Sequence, residues 1–335
     1  MLHTPTNKLK LDNVKGAILG SVVGDALGVP GEFLSREELR RNPITDMIGG
    51  GVHEQLPGTW SDDTSMVLCT MDSIIERGID YDDQMKRFED WLWTASNTAR
   101  DEVFDVGGTV KQAIFRFAKH TPALECGDQS EFACGNGSLM RIIPTVLYLL
   151  GQYGNTALDD RVIEVIHNTS KCTHAHVRCQ MACGIFYSIV FQMTCGGYLT
   201  NAVKSGIVSA LAYYRQKPEF SEVIHEFESL SHIDRWTEDE IRSSGYVLHT
   251  LQASLWCLLI TSSYPECVLK AVNLGDDTDT VAAISGALAG FWYGERQIPG
   301  DWKKKTVKYE AIQKRAENFY EVCGGNGSSR SCSTG

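Results

Sequence analysis

Apolar residues recur along this chain at helical rather than alternating spacing. Val14, Ala17, Ile18, Ser21, Val22 and Asp25 fall on one face, with Gly16, Gly20 and Gly24 close by. Segments 66–75, 85–93, 162–166, 181–193, 202–214 and 246–260 repeat the pattern, and each predicts a helix. No run of β-branched residues is bracketed by hairpin turns, so strand signals are weak. After Thr280 the chain carries Ala282, Ala283, Ser285, Gly286, Ala287, Ala289 and Gly290. A helix with such small side chains lets neighbouring backbones approach closely, which predicts a central place for it. Glycine costs about 1 kcal/mol of helix propensity relative to alanine, so packing must offset that loss. The pattern predicts an all-α fold: one domain of many short helices over residues 12–323. Residues 1–11 form a polar N-terminal extension, and the Gly/Ser-rich stretch 324–335 reads as a disordered tail.

Length and composition narrow the function. A chain of 335 residues with 43% hydrophobic and 22% charged residues has the make-up of a globular protein with a sizeable core. Its 31 basic and 42 acidic side chains give a net charge of −11. That balance speaks against bulk nucleic-acid or anionic-membrane binding, because few cations are present to neutralise phosphates. No signal peptide is visible, and the longest apolar stretches, 142–150 and 185–193, are too short to span a bilayer. Eleven cysteines, irregularly spaced and several inside apolar runs, fit a reducing compartment, and the expected location is the cytoplasm.

Four clusters carry candidate chemistry. Trp60-Ser61-Asp62-Asp63-Thr64-Ser65-Met66 precedes an apolar helical run. Helix capping explains one of these polar residues but not two adjacent carboxylates flanked by hydroxyls. Asn273-Leu274-Gly275-Asp276-Asp277-Thr278-Asp279-Thr280 precedes the small-sided helix. Its crowded carboxylates repel one another, and a helix N-terminus relieves only about 0.3–1 kcal/mol for each. A divalent cation would relieve the rest, since carboxylates and hydroxyls form the hard oxygen shell that Mg²⁺, Mn²⁺ or Ca²⁺ prefers. Gly135-Asn136-Gly137-Ser138-Leu139-Met140-Arg141 allows close backbone approach to an anion, with Arg141 as a fork donor, although taken alone it reads better as an ordinary turn. Phe104-Asp105-Val106-Gly107-Gly108-Thr109 sets a carboxylate on a glycine-rich turn before a helix starting near Thr109, or is another helix cap.

Cys172, His176, Cys179 and Cys183 look like zinc ligands on one helical face. On a straight helix they extend about 16 Å at 1.5 Å per residue. One tetrahedral zinc with bonds of about 2.0–2.3 Å cannot collect all four. This cluster is therefore set aside as a metal site.

Taken in order, the clusters resemble the ADP-ribosylglycohydrolase family, in particular the bacterial dinitrogenase-reductase-activating glycohydrolases. The matching elements are Gly16-Ala17-Ile18-Leu19-Gly20, Gly24-Asp25-Ala26-Leu27-Gly28, Glu32, Trp60-Ser61-Asp62-Asp63-Thr64, residues 135–141, Thr173-His174 and residues 273–280. The resemblance implies an orthogonal multi-helix bundle holding two Mg²⁺ or Mn²⁺ ions in a cleft. It assigns metal binding to Ser61, Asp62, Asp63, Asp277, Asp279 and Thr280, with Ser61 standing where the family usually has threonine. Asn136, Gly137, Ser138, Arg141 and His174 would line the ADP-ribose pocket. Glu32, Asp62 and Asp105 are the catalytic candidates, with Glu32 or Asp105 as general acid/base. The implied reaction is hydrolysis of ADP-ribose from a protein side chain, through an oxocarbenium-like state at ribose C1″. The Phe-Asp-x-Gly-x-Thr pattern around Asp105 points to arginine as the modified residue. Alternatives are O-linked ADP-ribose on serine, a small ADP-ribosyl metabolite, or a silent relative that binds nucleotide or serves structurally, as the lens crystallins of this family do. The implied partner is an ADP-ribosylated protein, with ADP-ribose as product; no nucleic acid and no membrane segment are expected.

Overall fold

The computed structural model describes residues 9–153 and 158–324, so most of the N-terminal extension and all but Gly324 of the expected tail lie outside the described residues. Fifteen α-helices follow one another among these residues. The first half holds α1 (Leu11–Gly28), α2 (Arg36–Arg41), α3 (Asp62–Arg77), α4 (Tyr81–Thr94), α5 (Gly108–Ala118), α6 (Ile143–Tyr153) and α7 (Asp160–Lys171). The second holds α8 (Val177–Thr194), α9 (Leu199–Tyr214), α10 (Ile224–Phe227), α11 (Val247–Ile260), α12 (Tyr264–Val272), α13 (Thr278–Tyr293), α14 (Gly300–Lys305) and α15 (Tyr309–Val322). Strand pairing among the described residues is limited to isolated bridges, and the fold is all-α as the apolar spacing predicts.

Helices α1 and α13 run antiparallel at the centre, and glycines set their separation. A methyl group on Gly16 would stand 2.0 Å from the Gly290 carbonyl oxygen, and one on Gly20 would stand 2.3 Å from that of Gly286. The contact continues through Gly24, 2.1 Å from the Ala282 oxygen, to Gly28, 2.3 Å from the Asp279 Cα. Only hydrogen fits at these positions. Residues four apart share a helix face, so the sequence spacing writes the contact directly. This register places the C-terminus of α1 beside the N-terminus of α13, and Thr278 Oγ1 fixes the junction by donating to Gly28 O at 2.7 Å.

One expectation needs correction. Residues 172–183 are not one helix: α7 ends at Lys171, and α8 starts at Val177 with His176 as its N-cap. The chain leaves α7 because Ala175 N donates to Asp128 O (2.9 Å) and Asp128 N to Thr173 O (3.3 Å). These bonds draw Thr173 and His174 into a separate turn. The 16 Å single-helix separation therefore does not apply to these residues.

Candidate active site

Three chain segments converge where α1 ends. The first is the start of α3, where Ser61 is the N-cap and Asp62 and Asp63 occupy the first turn. It is pinned by Asp25, a buried carboxylate on α1. Asp25 accepts from Ser61 N (2.9 Å), Thr64 N (3.0 Å) and Thr64 Oγ1 (2.5 Å). The second is the start of α13, where Asp277 N donates to Ser243 O at 3.1 Å and Asn136 Nδ2 donates to Asp277 Oδ2 at 2.8 Å. Thr280 Oγ1 donates to Asp63 Oδ2 at 3.1 Å and joins these two helix starts. The third is the segment after α1, which brings Glu32 against His53: Glu32 Oε2 and His53 Nε2 are 2.6 Å apart, and Asp105 Oδ1 is 3.8 Å from the same nitrogen.

A cleft of about 380 Å³ opens over this junction. Asp62, Asp277 and Thr280 line it, as do Glu32 and Asp105. Beneath them Asp25, Asp63 and Asp279 approach one another, each offering an oxygen within 4.8 Å of the others. Burial, reinforced by neighbouring carboxylates, holds Asp62, Asp63 and Asp279 well above the usual carboxylate range, and burial also raises Asp277. Glu32 is pushed up to about 9 by burial and then by the charges of Asp105 and Asp277, and burial lifts Asp25 to about 6.

These acids are poorly stabilised as anions by the protein alone. Two like charges about 4 Å apart repel by about 4 kcal/mol at an effective dielectric near 20. A helix N-terminus returns about 1 kcal/mol at most on an exposed surface. Hydrogen bonds satisfy Asp25, whereas buried Asp63 Oδ1 and Asp279 Oδ2 have no hydrogen-bond partner. Unpartnered carboxylate oxygens beside hydroxyls form a donor set that fits a hard divalent cation.

The glycine-rich part of the cleft is built from Gly107, Gly108, Gly135 and Gly137, with Asn136 and His174 among its lining. A methyl group on Gly137 would stand 2.7 Å from His174 Cε1, so the absence of a side chain keeps the imidazole edge open. Burial holds His174 neutral, with its pKa lowered to about 3, and its Nδ1 lies 2.9 Å from Thr173 Oγ1.

Two residues expected in the pocket lie elsewhere. Ser138 is fully buried and accepts from Ser170 Oγ at 2.8 Å. Arg141 is also fully buried, 4.8 Å above the Phe88 ring, and donates to Thr169 O (2.9 Å) and Thr173 Oγ1 (2.8 Å). Met140 between them reaches the cleft, but the side chains of Ser138 and Arg141 are directed into the core and do not line it. Conversely, sequence reasoning left Asp25 and His53 out of the site. Asp25 carried a signal, as a carboxylate on the apolar face of a helix. His53 carried none, as a single histidine in a turn.

Profile comparison matches residues 5–329 to the family described as ADP-ribosylglycohydrolase. The chain belongs to the ADP-ribosylglycohydrolase family. It is an enzyme of that family, a hydrolase of glycosidic bonds. Its relatives include the ADP-ribosylarginine hydrolase Tri1 of Serratia proteamaculans, 32% identical over 92% of this chain and 79% of that protein. The ADP-ribosyl-dinitrogen reductase glycohydrolase of Rhodospirillum rubrum is 30% identical over 88% of this chain and 90% of its own length. A solved structure titled ADP-ribosylglycohydrolase-related protein complex superposes with a TM-score of 0.76 at 29% identity, covering 94% of this chain and 99% of the other. In this ADP-ribosylglycohydrolase no helix of the described residues is long and apolar enough to cross a membrane.

Proposed function

We propose that this ADP-ribosylglycohydrolase removes ADP-ribose from modified arginine side chains of proteins, in the cytoplasm, with two Mg²⁺ or Mn²⁺ ions. The observation that carries the reading is the buried acid set with unpartnered oxygens at Asp63 and Asp279, lying under a cleft edged by Glu32 and Asp105. The name of the Serratia relative supports arginine as the modified residue. The cytoplasmic reading is supported by cysteines that pack as small hydrophobes, nine of the ten described ones being buried.

Asp62, Asp63, Asp277 and Asp279 would hold the ions, with the hydroxyls of Ser61 and Thr280. When bound, such ions neutralise the carboxylates and lower the pKa of water to a useful range. The chain's own residues supply the rest. Asn136 orients Asp277 through its amide, and Asp25 fixes the first turn of α3 so that Asp62 and Asp63 keep their positions. Glu32 Oε2 and His53 Nε2 lie within hydrogen-bond distance at 2.6 Å, so the imidazole positions the carboxyl group. Asp105, on a left-handed backbone turn (φ 55°), stands beside the same nitrogen. Glu32 and Asp105 then form the acid/base pair, one removing a proton from water and one returning a proton to the leaving nitrogen. The C1″–N bond breaks, a C1″–O bond forms, and arginine leaves with ADP-ribose as the other product. Asn136, Gly137 and His174 would receive the ADP-ribose itself.

The test is release of ADP-ribose from arginine-linked and serine-linked peptides, with Mg²⁺ and with EDTA. Metal-dependent release from the arginine peptide is expected. Metal-independent release, or none from either peptide, would defeat the reading.

A further inference from the structure

Large apolar side chains at the surface draw attention when they border a polar site. Phe33 is 66% exposed, yet it lines the carboxylate cleft immediately after Glu32. Its backbone sits in the left-handed region at φ 62°, which is costly for a bulky residue. The conformation is held from outside: Phe33 N donates to Asp276 O at 2.7 Å, and Asp276 N returns a bond to Leu34 O at 2.8 Å. Asp276 is itself left-handed, at φ 60°. The lip is thus strapped to the loop that presents Asp277, and the strap turns a phenyl ring towards solvent where apolar burial offers nothing in return. The His53 ring stands behind it, with centroids 6.2 Å apart, and Phe104 backs His53 at 5.1 Å. Phe33 is the ring that lines the cleft beside Glu32 and Asp105, with His53 and Phe104 packed in series behind it.

We propose that Phe33 determines specificity for the leaving group, its ring receiving the planar cation of an arginine guanidinium as the modified side chain enters the cleft. This rests on the arginine reading above and names the part of the site that recognises the arginine half of the substrate. A modified residue on a folded protein must reach the carboxylates from solvent, past the exposed ring. A guanidinium offers a flat face and a positive charge, both of which an aromatic face attracts. The surrounding carboxylates favour the same charge. A serine oxygen or a small neutral leaving group offers neither, so the ring selects between linkages without touching ADP-ribose.

The experiment measures kcat and KM for an arginine-linked ADP-ribosyl peptide with Mg²⁺, using the full chain, Phe33→Leu and Phe33→Tyr. Inhibition by free ADP-ribose, which lacks the leaving group, is measured in parallel. Phe33→Leu keeps apolar bulk and loses the π face, and KM is expected to rise about tenfold with the loss in KM rather than kcat. Phe33→Tyr restores KM, and ADP-ribose inhibits all three proteins alike. A KM in Phe33→Leu within twofold of the parent overturns the proposal, as does parallel weakening of ADP-ribose inhibition. If the unaltered protein releases nothing from the arginine peptide, the underlying reading falls first and takes this inference with it.

Discussion

The Thr280 hydroxyl donates to Asp63 across 3.1 Å and ties the N-terminus of α13 to that of α3. Two helix starts, 217 residues apart in sequence, thereby present their acids to one volume. The pairing of α1 with α13 makes this possible, because it fixes where α13 begins relative to Asp25.

If these acids hold cations, removing one ligand should separate metal-dependent function from folding. Asp277→Asn keeps the side-chain shape, and turnover with Mg²⁺ should fall by more than 100-fold while circular dichroism stays unchanged. The rise in Tm that Mg²⁺ gives the parent should shrink in the same variant. Near-normal turnover would refute this ligand assignment.

The metal-free protein should lose stability as pH rises. Asp25 and Glu32 have folded pKa values of about 6 and about 9, above the ordinary 3.8 and 4.5. Their protons are retained in the fold at pH values where the unfolded chain has released them. Unfolding is then favoured progressively from about pH 4 upward, until the folded groups ionise too. The Tm in EDTA should therefore fall between pH 5 and 9, and saturating Mg²⁺ should flatten the slope by favouring the ionised acids. A flat or rising Tm in EDTA would contradict the burial of these groups.

Gly24→Ala sets two effects against each other. Helix propensity gains about 1 kcal/mol. The new methyl group would lie 2.1 Å from the Ala282 carbonyl oxygen, a backbone atom that cannot move alone. Overpacking costs about 1–3 kcal/mol, and a backbone clash this close falls at the upper end, so the net effect should be a loss of up to about 2 kcal/mol. Urea unfolding measures it, and a stabilised variant would disprove the close contact.

Much of this architecture was legible from apolar spacing, because a helix buries residues three and four apart whatever it packs against. The small residues of α1 and α13 announced close contact, but their mutual register depends on a pairing across more than 250 residues. The acids of α3 and α13 were visible as clusters. Asp25 was read as part of a helical face, although an ionisable group there signals either a ligand or a clamp. His53 acquires meaning only when the turn around Gly50 and Gly51 folds it onto Glu32. In the 135–141 segment, residue types could not reveal that Met140 faces the cleft while the Ser138 and Arg141 side chains point into the core.

Asp25→Ala tests the clamp. It would leave Ser61 N, Thr64 N and Thr64 Oγ1 without their buried acceptor. Each abandoned donor costs about 1–3 kcal/mol, so a loss of at least about 3 kcal/mol is expected in urea unfolding. Mg²⁺ affinity, read by calorimetry, should weaken as well, because the first turn of α3 loses its anchor. A loss below about 1 kcal/mol would show that Asp25 is not the clamp.

Arg141 should act on stability rather than directly on substrate. It donates to the carbonyl of Thr169 in the last turn of α7 and to Thr173 Oγ1, next to His174. Cations favour helix C-termini, and this one closes α7 where the chain turns towards the cleft. Its Nε and Nη1 nonetheless have no hydrogen-bond partner, and burial lowers its pKa. Arg141→Met removes two hydrogen bonds but also a buried charge without a carboxylate. The net loss should be modest, about 1–3 kcal/mol. KM for the ADP-ribosyl peptide should change less than threefold, whereas His174→Ala, which alters the cleft wall itself, should raise it more than tenfold. A large KM increase in Arg141→Met at unchanged Tm would return Arg141 to the ligand-binding set.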